Sequence, residues 1–141
     1  MNKVQQYALV SLRIGMGWLF FYAGLSKIID PTWSAAGYLG NASTFPGLFE
    51  WLASSGNIGW VSFLNEWGLL LVGLGLILGL LVRYASYAGM FLMFLYWLPI
   101  LDFPTVGHGI LVDDHIIYIA VFAVLIVMNA GKYFGLDKLR P

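Results

Sequence analysis

Apolar residues run along this chain in long blocks, and most polar residues fall between the blocks. The first block, residues 4–29, stops at Asp30-Pro31. Proline has no amide hydrogen and pushes the residue before it out of the helical region, so a helix ends there. The block is longer than the roughly 7–15-residue apolar core of a cleaved signal peptide, and it reads as a retained first span. Residues 69–100 carry a single charge, Arg83. One straight helix of that length would be about 48 Å long, against a hydrocarbon core of roughly 30 Å. A hairpin turning near Arg83 fits better, with spans at 61–82 and 84–101, the second closing near Pro99 and Pro104. A fourth span covers 115–134. Its purely apolar part, 116–128, is short for a crossing and needs flanking residues at both ends.

Two connections interrupt the blocks. Residues 30–60 contain Gly, Ser, Asn and Pro, but also Trp33, Tyr38, Phe45, Phe49, Trp51 and Trp60. A disordered linker does not hold so many aromatics. Within it, residues 46–54 (PGLFEWLAS) read as a short helix with proline in its first turn. The whole connection is expected to cap the bundle at the membrane surface. Residues 102–114 form a second, polar connection with His108 between two glycines. The pattern therefore predicts a single all-α domain over 1–141: an integral membrane four-helix bundle with an aromatic-rich outer loop or short interfacial helix between spans one and two.

Composition agrees with that reading. Sixty per cent of the residues are hydrophobic and 10% charged, whereas soluble domains carry about 25% charged residues. Aromatics make up 17%, including six Trp, which suits anchoring at two membrane interfaces. A net charge of zero leaves no footprint for nucleic acid. The absence of cysteine removes disulfides, thiol relays, thiolate metal sites and iron–sulfur clusters.

The charges are also sorted. With four spans, Lys3, Arg13, Arg83, Lys132, Lys138 and Arg140 fall on or toward the side of the termini, and only Lys27 falls opposite. Positive charge stays inside, so a multi-pass protein of the plasma membrane with cytoplasmic N- and C-termini is expected. Asp30, Glu50, Glu66, Asp102, Asp113 and Asp114 lie on the outer side with His108 and His115, leaving Asp137 inside. Either the outer face merely tolerates acids, or it holds a polar site under the aromatic cap.

Within the first span Arg13, Gly17, Phe20, Gly24 and Lys27 recur at spacings of 4, 3, 4 and 3, which puts them on one helical stripe. Two glycines there allow a neighbouring helix to approach closely. Arg13 lies within the apolar span, where a cation costs about 2.5–3.5 kcal/mol on insertion scales. It can snorkel, join a structural ion pair, or contact a ligand. Glu66, at matching depth, is the natural partner of Lys27. Gly68, Gly75 and Gly79 form another small-residue stripe suited to tight packing.

Asp113-Asp114-His115 opens the fourth span. An acid there caps the helix and complements its dipole. His115, Asp114 and His108 also have the side chains of a metal or proton-transfer site. Their spacing matches no metal signature, so no metal is expected. Both histidines sit near one connection, which does not suit haem ligation across a bundle. No phosphate loop, nucleophile elbow or zincin motif is present. Any electron carrier must be borrowed, and a membrane quinone is the natural one.

Two stretches, RIGMGWLFFYAGLSKIIDP (13–31) and EWGLLLVGLGLILGLLVR (66–83), together with the four-span layout, resemble the DoxX family of small membrane proteins. Positions matching its pattern are Arg13, Gly17, Gly24, Lys27, Glu66, Gly73 and Arg83; no catalytic role carries over to them. The family includes DoxD, the membrane subunit of a thiosulfate:quinone oxidoreductase that works with a second subunit, DoxA. No region here corresponds to DoxA. The resemblance implies a quinone-linked oxidoreductase subunit. That reading expects an apolar cleft near the outer surface with Lys27, Glu66 and either Asp114 or His115 at its polar end. The alternative is a non-catalytic accessory subunit of a larger respiratory or photosynthetic complex, packed against lipid and other membrane subunits or copies of itself. It expects a buried Lys27–Glu66 pair and no pocket. A small transporter is disfavoured, since the chain shows neither an inverted repeat nor a broken helix pair.

Overall fold

A computed structural model describes residues 1–107 and 109–139. His108, Arg140 and Pro141 lie outside the described residues. The chain is mostly helical. Helix α1 spans Lys3–Ile29, the short helices α2 and α3 span Ala36–Leu39 and Pro46–Ala53, and α4 spans Ile58–Leu78. Helix α5 spans Val82–Ile100 and α6 spans Asp114–Val127. Helices α1 and α4 are long and apolar enough to cross a membrane.

Helix α1 starts with a reciprocal cap, in which the Asn2 side chain accepts from the Gln5 amide and the Gln5 side chain accepts from the Asn2 amide. It packs on α4 through the glycine stripe. A Cβ on Gly24 would strike the backbone of Leu70, and one on Gly73 would strike the backbone of Phe21. The two helix backbones therefore touch where these positions lack side chains. Around them the main core closes on Phe20, Leu76, Phe122 and Leu125, each at most 1% exposed. Phe20 meets Phe122 edge-on at 5.1 Å.

The hairpin turn falls earlier than the expected position near Arg83. Helix α4 ends at Leu78, and Gly79 adopts φ +65°. The Gly79 amide bonds to the Leu76 carbonyl (3.2 Å) and the Leu80 amide to the Gly75 carbonyl (2.9 Å). This double bond pattern after a left-handed glycine is a Schellman stop. Helix α5 begins at Val82, so Arg83 lies in its first turn.

The fourth helix is also shorter than the expected 115–134: it ends at Val127. Asn129 takes a left-handed φ of +48°, and two 3-10 turns follow, at Ala130–Lys132 and Leu136–Leu139. The left-handed Asn129 makes the stop, and Arg13 then holds carbonyls of the turns that follow. The structure agrees with an all-α class, and the second connection adds a small detail to it. A three-stranded antiparallel meander joins β1 (Leu101–Asp102), β2 (Thr105–Val106) and β3 (Gly109–Ile110) in sequence order. Strands of two residues leave no readable alternation in the sequence.

The first connection forms a cap, and PGLFEWLA is a helix as its proline suggested. A second small core, Ala35, Leu39 and Phe49 packed with Trp33, Leu52 and Leu98, holds the cap together. Four bonds tie it down. The Ala35 amide donates to Ser62 Oγ (3.2 Å) and the Ser43 amide to the Pro99 carbonyl (2.8 Å). The Tyr38 hydroxyl donates to the Tyr96 carbonyl and the Thr44 hydroxyl to the Leu101 carbonyl.

Candidate functional site

Beneath the cap, between α1, α4 and α5, lies a cavity of about 490 Å³. Its walls are mainly apolar and aromatic, with Trp33, Tyr38, Trp60, Leu64, Phe91 and Leu95 among them. Polar character enters through Lys27, Asn65 and Tyr96. Leu64, Phe91 and Leu95 are exposed on the flank of α4 and α5, so the cavity opens sideways.

Each polar group has a defined partner. Tyr96 donates its hydroxyl to Asn65 Oδ1 at 2.9 Å, which fixes the Asn65 amide orientation. Among the described residues the Asn65 NH2 group has no partner, leaving two donors beside the cavity. Lys27 Nζ donates weakly to the Ala23 carbonyl (3.4 Å) and sits 5.2 Å from the centre of the Trp33 ring. That is within the range of a cation–π contact. Two ammonium protons remain uncommitted. Burial, reinforced by Tyr96, Asp113 and Asp114, raises the Tyr38 hydroxyl above the ordinary phenol range and keeps it a neutral donor.

The expected Lys27–Glu66 ion pair does not form. Glu66 is close enough to act on Lys27 electrostatically, but the two are not within 4.0 Å. Glu66 has no side-chain partner among the described residues and does not line the cavity. The reason lies in the glycine contact. Helix α1 meets α4 so closely at Gly24 that the Glu66 carbonyl lies against it, and Lys27, one turn later, turns toward Trp33.

Asp114 and His115 also stay outside the cavity wall. The cap of α6 is Asp113, whose Oδ1 accepts from the amides of His115 (3.1 Å) and Ile116 (3.3 Å). Its Oδ2 lies 2.6 Å from His115 Nδ1. The imidazole is thereby fixed in orientation, and its ring stacks on Tyr96 at 5.8 Å and 13°. His115 thus backs a wall residue of the cavity rather than facing into it. Asp113, Asp114 and His115 offer ligand atoms within 4.8 Å of one another. Asp113 is already committed to the helix cap and to the ring. His108 is not among the described residues.

Arg13 neither snorkels nor joins an ion pair among the described residues: it is 1% exposed, and no carboxylate there lies within ion-pair distance. Instead its guanidinium donates to the carbonyls of Ala130 (2.6 Å), Tyr133 (2.8 Å) and Phe134 (3.2 Å). It lies level with the α4–α5 turn, against Gly79 and Gly135. Beside it Asp137 accepts from the amides of Leu81 (2.7 Å) and Val82 (2.9 Å), capping α5.

The family model for DoxX matches residues 8–101, more than half of the chain. The chain belongs to the DoxX family. No curated protein and no solved structure matches it. The DoxX match and the apolar helices make it a membrane protein domain. The match takes in Arg13, Lys27, Asn65, Glu66 and Tyr96, and so every residue of the cavity wall. Helix α6, with the Asp113–His115 pair, and the carbonyls that Arg13 binds fall after it.

Of the expected site residues Lys27 lines the cavity, and Asn65, Tyr96 and Trp33 line it without having been expected there. Asn65 was the readable signal: an uncharged amide within an apolar span, beside the more conspicuous Glu66. Tyr96 resembled any interfacial aromatic.

Proposed function

We propose that this DoxX-family protein crosses the plasma membrane four times with both termini in the cytoplasm. We further propose that it serves as a quinone-linked oxidoreductase subunit of the thiosulfate:quinone type. The carrying observation is the sideways-opening cavity of about 490 Å³ with Lys27, Asn65 and Tyr96 in its wall. Its size falls within the roughly 300–1,000 Å³ common to small-molecule sites. A lateral opening admits a ligand dissolved in the bilayer, and apolar walls with few polar groups suit a flat ring bearing carbonyl oxygens. Asn65 supplies amide hydrogens and Lys27 a cation for those oxygens, while Trp33 and Tyr38 exclude water from above.

Complete reduction of a quinone takes up two electrons and two protons. With no cysteine, the chain has no thiol carrier, so the electrons come from a partner subunit that oxidises the sulfur compound. The accessory reading expected a joined Lys27–Glu66 pair and no pocket. The cavity favours the quinone reading, although of the polar residues that reading expected only Lys27 lines it.

The test is binding of a short-chain quinone to the purified protein in detergent, followed by quenching of Trp33 and Trp60 fluorescence. Saturable quenching is expected, with about tenfold weaker affinity in Asn65→Leu and in Lys27→Met. Quenching that is linear in quinone, or equal in all three proteins, would overturn the reading. Mass spectrometry after gentle purification from native membrane tests the role of the subunit. Retained quinone with a sulfur-oxidising partner supports it, and a stoichiometric set of larger subunits without retained quinone supports the accessory role. For topology, an impermeant thiol reagent on intact cells should label Ser43→Cys and spare Arg83→Cys.

A further inference from the structure

A second cavity, of about 260 Å³, lies at the opposite end of the bundle, between the first turn of α5 and the residues that follow α6. Arg83, Lys132 and Asn129 line it together with apolar Leu81 and Ile126. Asp137 lines it too and carries a negative charge, but its oxygens are held toward the Leu81 and Val82 amides, and the two cations outnumber it. Arg83 and Lys132 have no carboxylate within ion-pair distance, and the Asn129 side chain has no hydrogen-bond partner, among the described residues. Two cations and an amide therefore line one crevice with their donors available, beside an apolar wall.

We propose that this cavity holds the phosphate group of an anionic phospholipid. The proposal rests on the bundle lying in a membrane and is independent of the quinone reading. Three observations support it. The cavity lies where two helices meet a turn, the level at which a bundle passes from acyl chains to headgroups. Its lining combines apolar Leu81 and Ile126 with basic Arg83 and Lys132, as a phospholipid combines acyl chains with a phosphate. Basic pockets between membrane helices are a recurrent form of headgroup recognition, and each cation near an anionic surface contributes independently. A free phosphate ion has the same recognition chemistry but no use for the apolar wall.

The experiment uses the whole purified protein, stripped of lipid in mild detergent and offered equal amounts of phosphatidylglycerol and phosphatidylcholine. Native mass spectrometry counts the bound lipids. The wild type should retain phosphatidylglycerol roughly tenfold better than phosphatidylcholine, and R83Q/K132Q should lose that preference. R83K/K132R, which keeps both charges, should retain it and shows that loss is not misfolding. Equal retention of the two lipids by the wild type, or an undiminished preference in R83Q/K132Q, would overturn the proposal. Inorganic phosphate is the competitor. No displacement at millimolar concentration supports a lipid source, and full displacement means a soluble phosphate site.

Discussion

At the end of the bundle that carries the α4–α5 turn, Arg13 is 1% exposed and donates to three carbonyls, leaving only Nε without a partner. At the capped end, Lys27 makes one long bond of 3.4 Å and Asn65 keeps its amide hydrogens free beside an open cavity. Both cations stand on the same stripe of α1. What separates them is burial and the number of acceptors that hold them. A buried cation held by three carbonyls acts as a structural clamp. A partly buried one with a single long bond, beside a cavity, can meet a ligand. The sequence stripe alone does not distinguish the two cases.

Substitutions should separate the ends in order of size. Arg13→Met leaves three carbonyls without their donor and should cost about 3–5 kcal/mol, at roughly 1–3 kcal/mol for each unsatisfied group. It should also expose the amides of residues 130–139 to hydrogen exchange. An unchanged unfolding midpoint in detergent would mean that those carbonyls find other donors. Gly73→Ala acts between the two ends, where the new Cβ would strike the Phe21 backbone. Overpacking of this kind costs about 1–3 kcal/mol, read from the same unfolding curves. Asn65→Leu, at the capped end, should cost only about 1 kcal/mol, for the lost Tyr96 bond, while weakening the ligand. A destabilisation as large as that of Arg13→Met would make Asn65 a second clamp. Gly15 is the smallest and has the opposite sign. A Cβ there meets nothing within 4 Å, so Gly15→Ala should stabilise α1 by about 0.5–1 kcal/mol.

Much of the helical layout was legible. Asp30-Pro31 set the end of α1 to within a residue, and Pro46 marked the start of α3. The turn was misplaced because Arg83 drew attention as the only charge, whereas Gly79 makes the stop. The expected end of α6 fell too late because the apolar run 116–128 is short for a crossing and took in the flank 129–134, where Asn129 makes a left-handed stop. Nothing local shows that a distant arginine binds their carbonyls. The role of Arg13 is hidden for the same reason, because its partners are backbone carbonyls, which no residue type marks. Lys27 and Glu66 were matched by depth alone. Depth does not fix which way each side chain turns once Gly24 has brought the backbones together. The cavity was anticipated as a cleft under the cap, but its wall residues come from three helices whose rotations no single-helix pattern supplies.

The shortness of α6 has a consequence outside the protein. A helix of 14 residues is about 21 Å long, roughly 9 Å less than a typical hydrocarbon core. On the proposed four-span topology, lipids beside that face would have to shorten or tilt to meet it, while those beside the 27-residue α1 would not. A protein so placed would dent the bilayer beside α6. Elastic strain of this kind, at fractions of a kcal/mol per Å, biases such a molecule toward thin membrane regions and toward neighbours that share the dent.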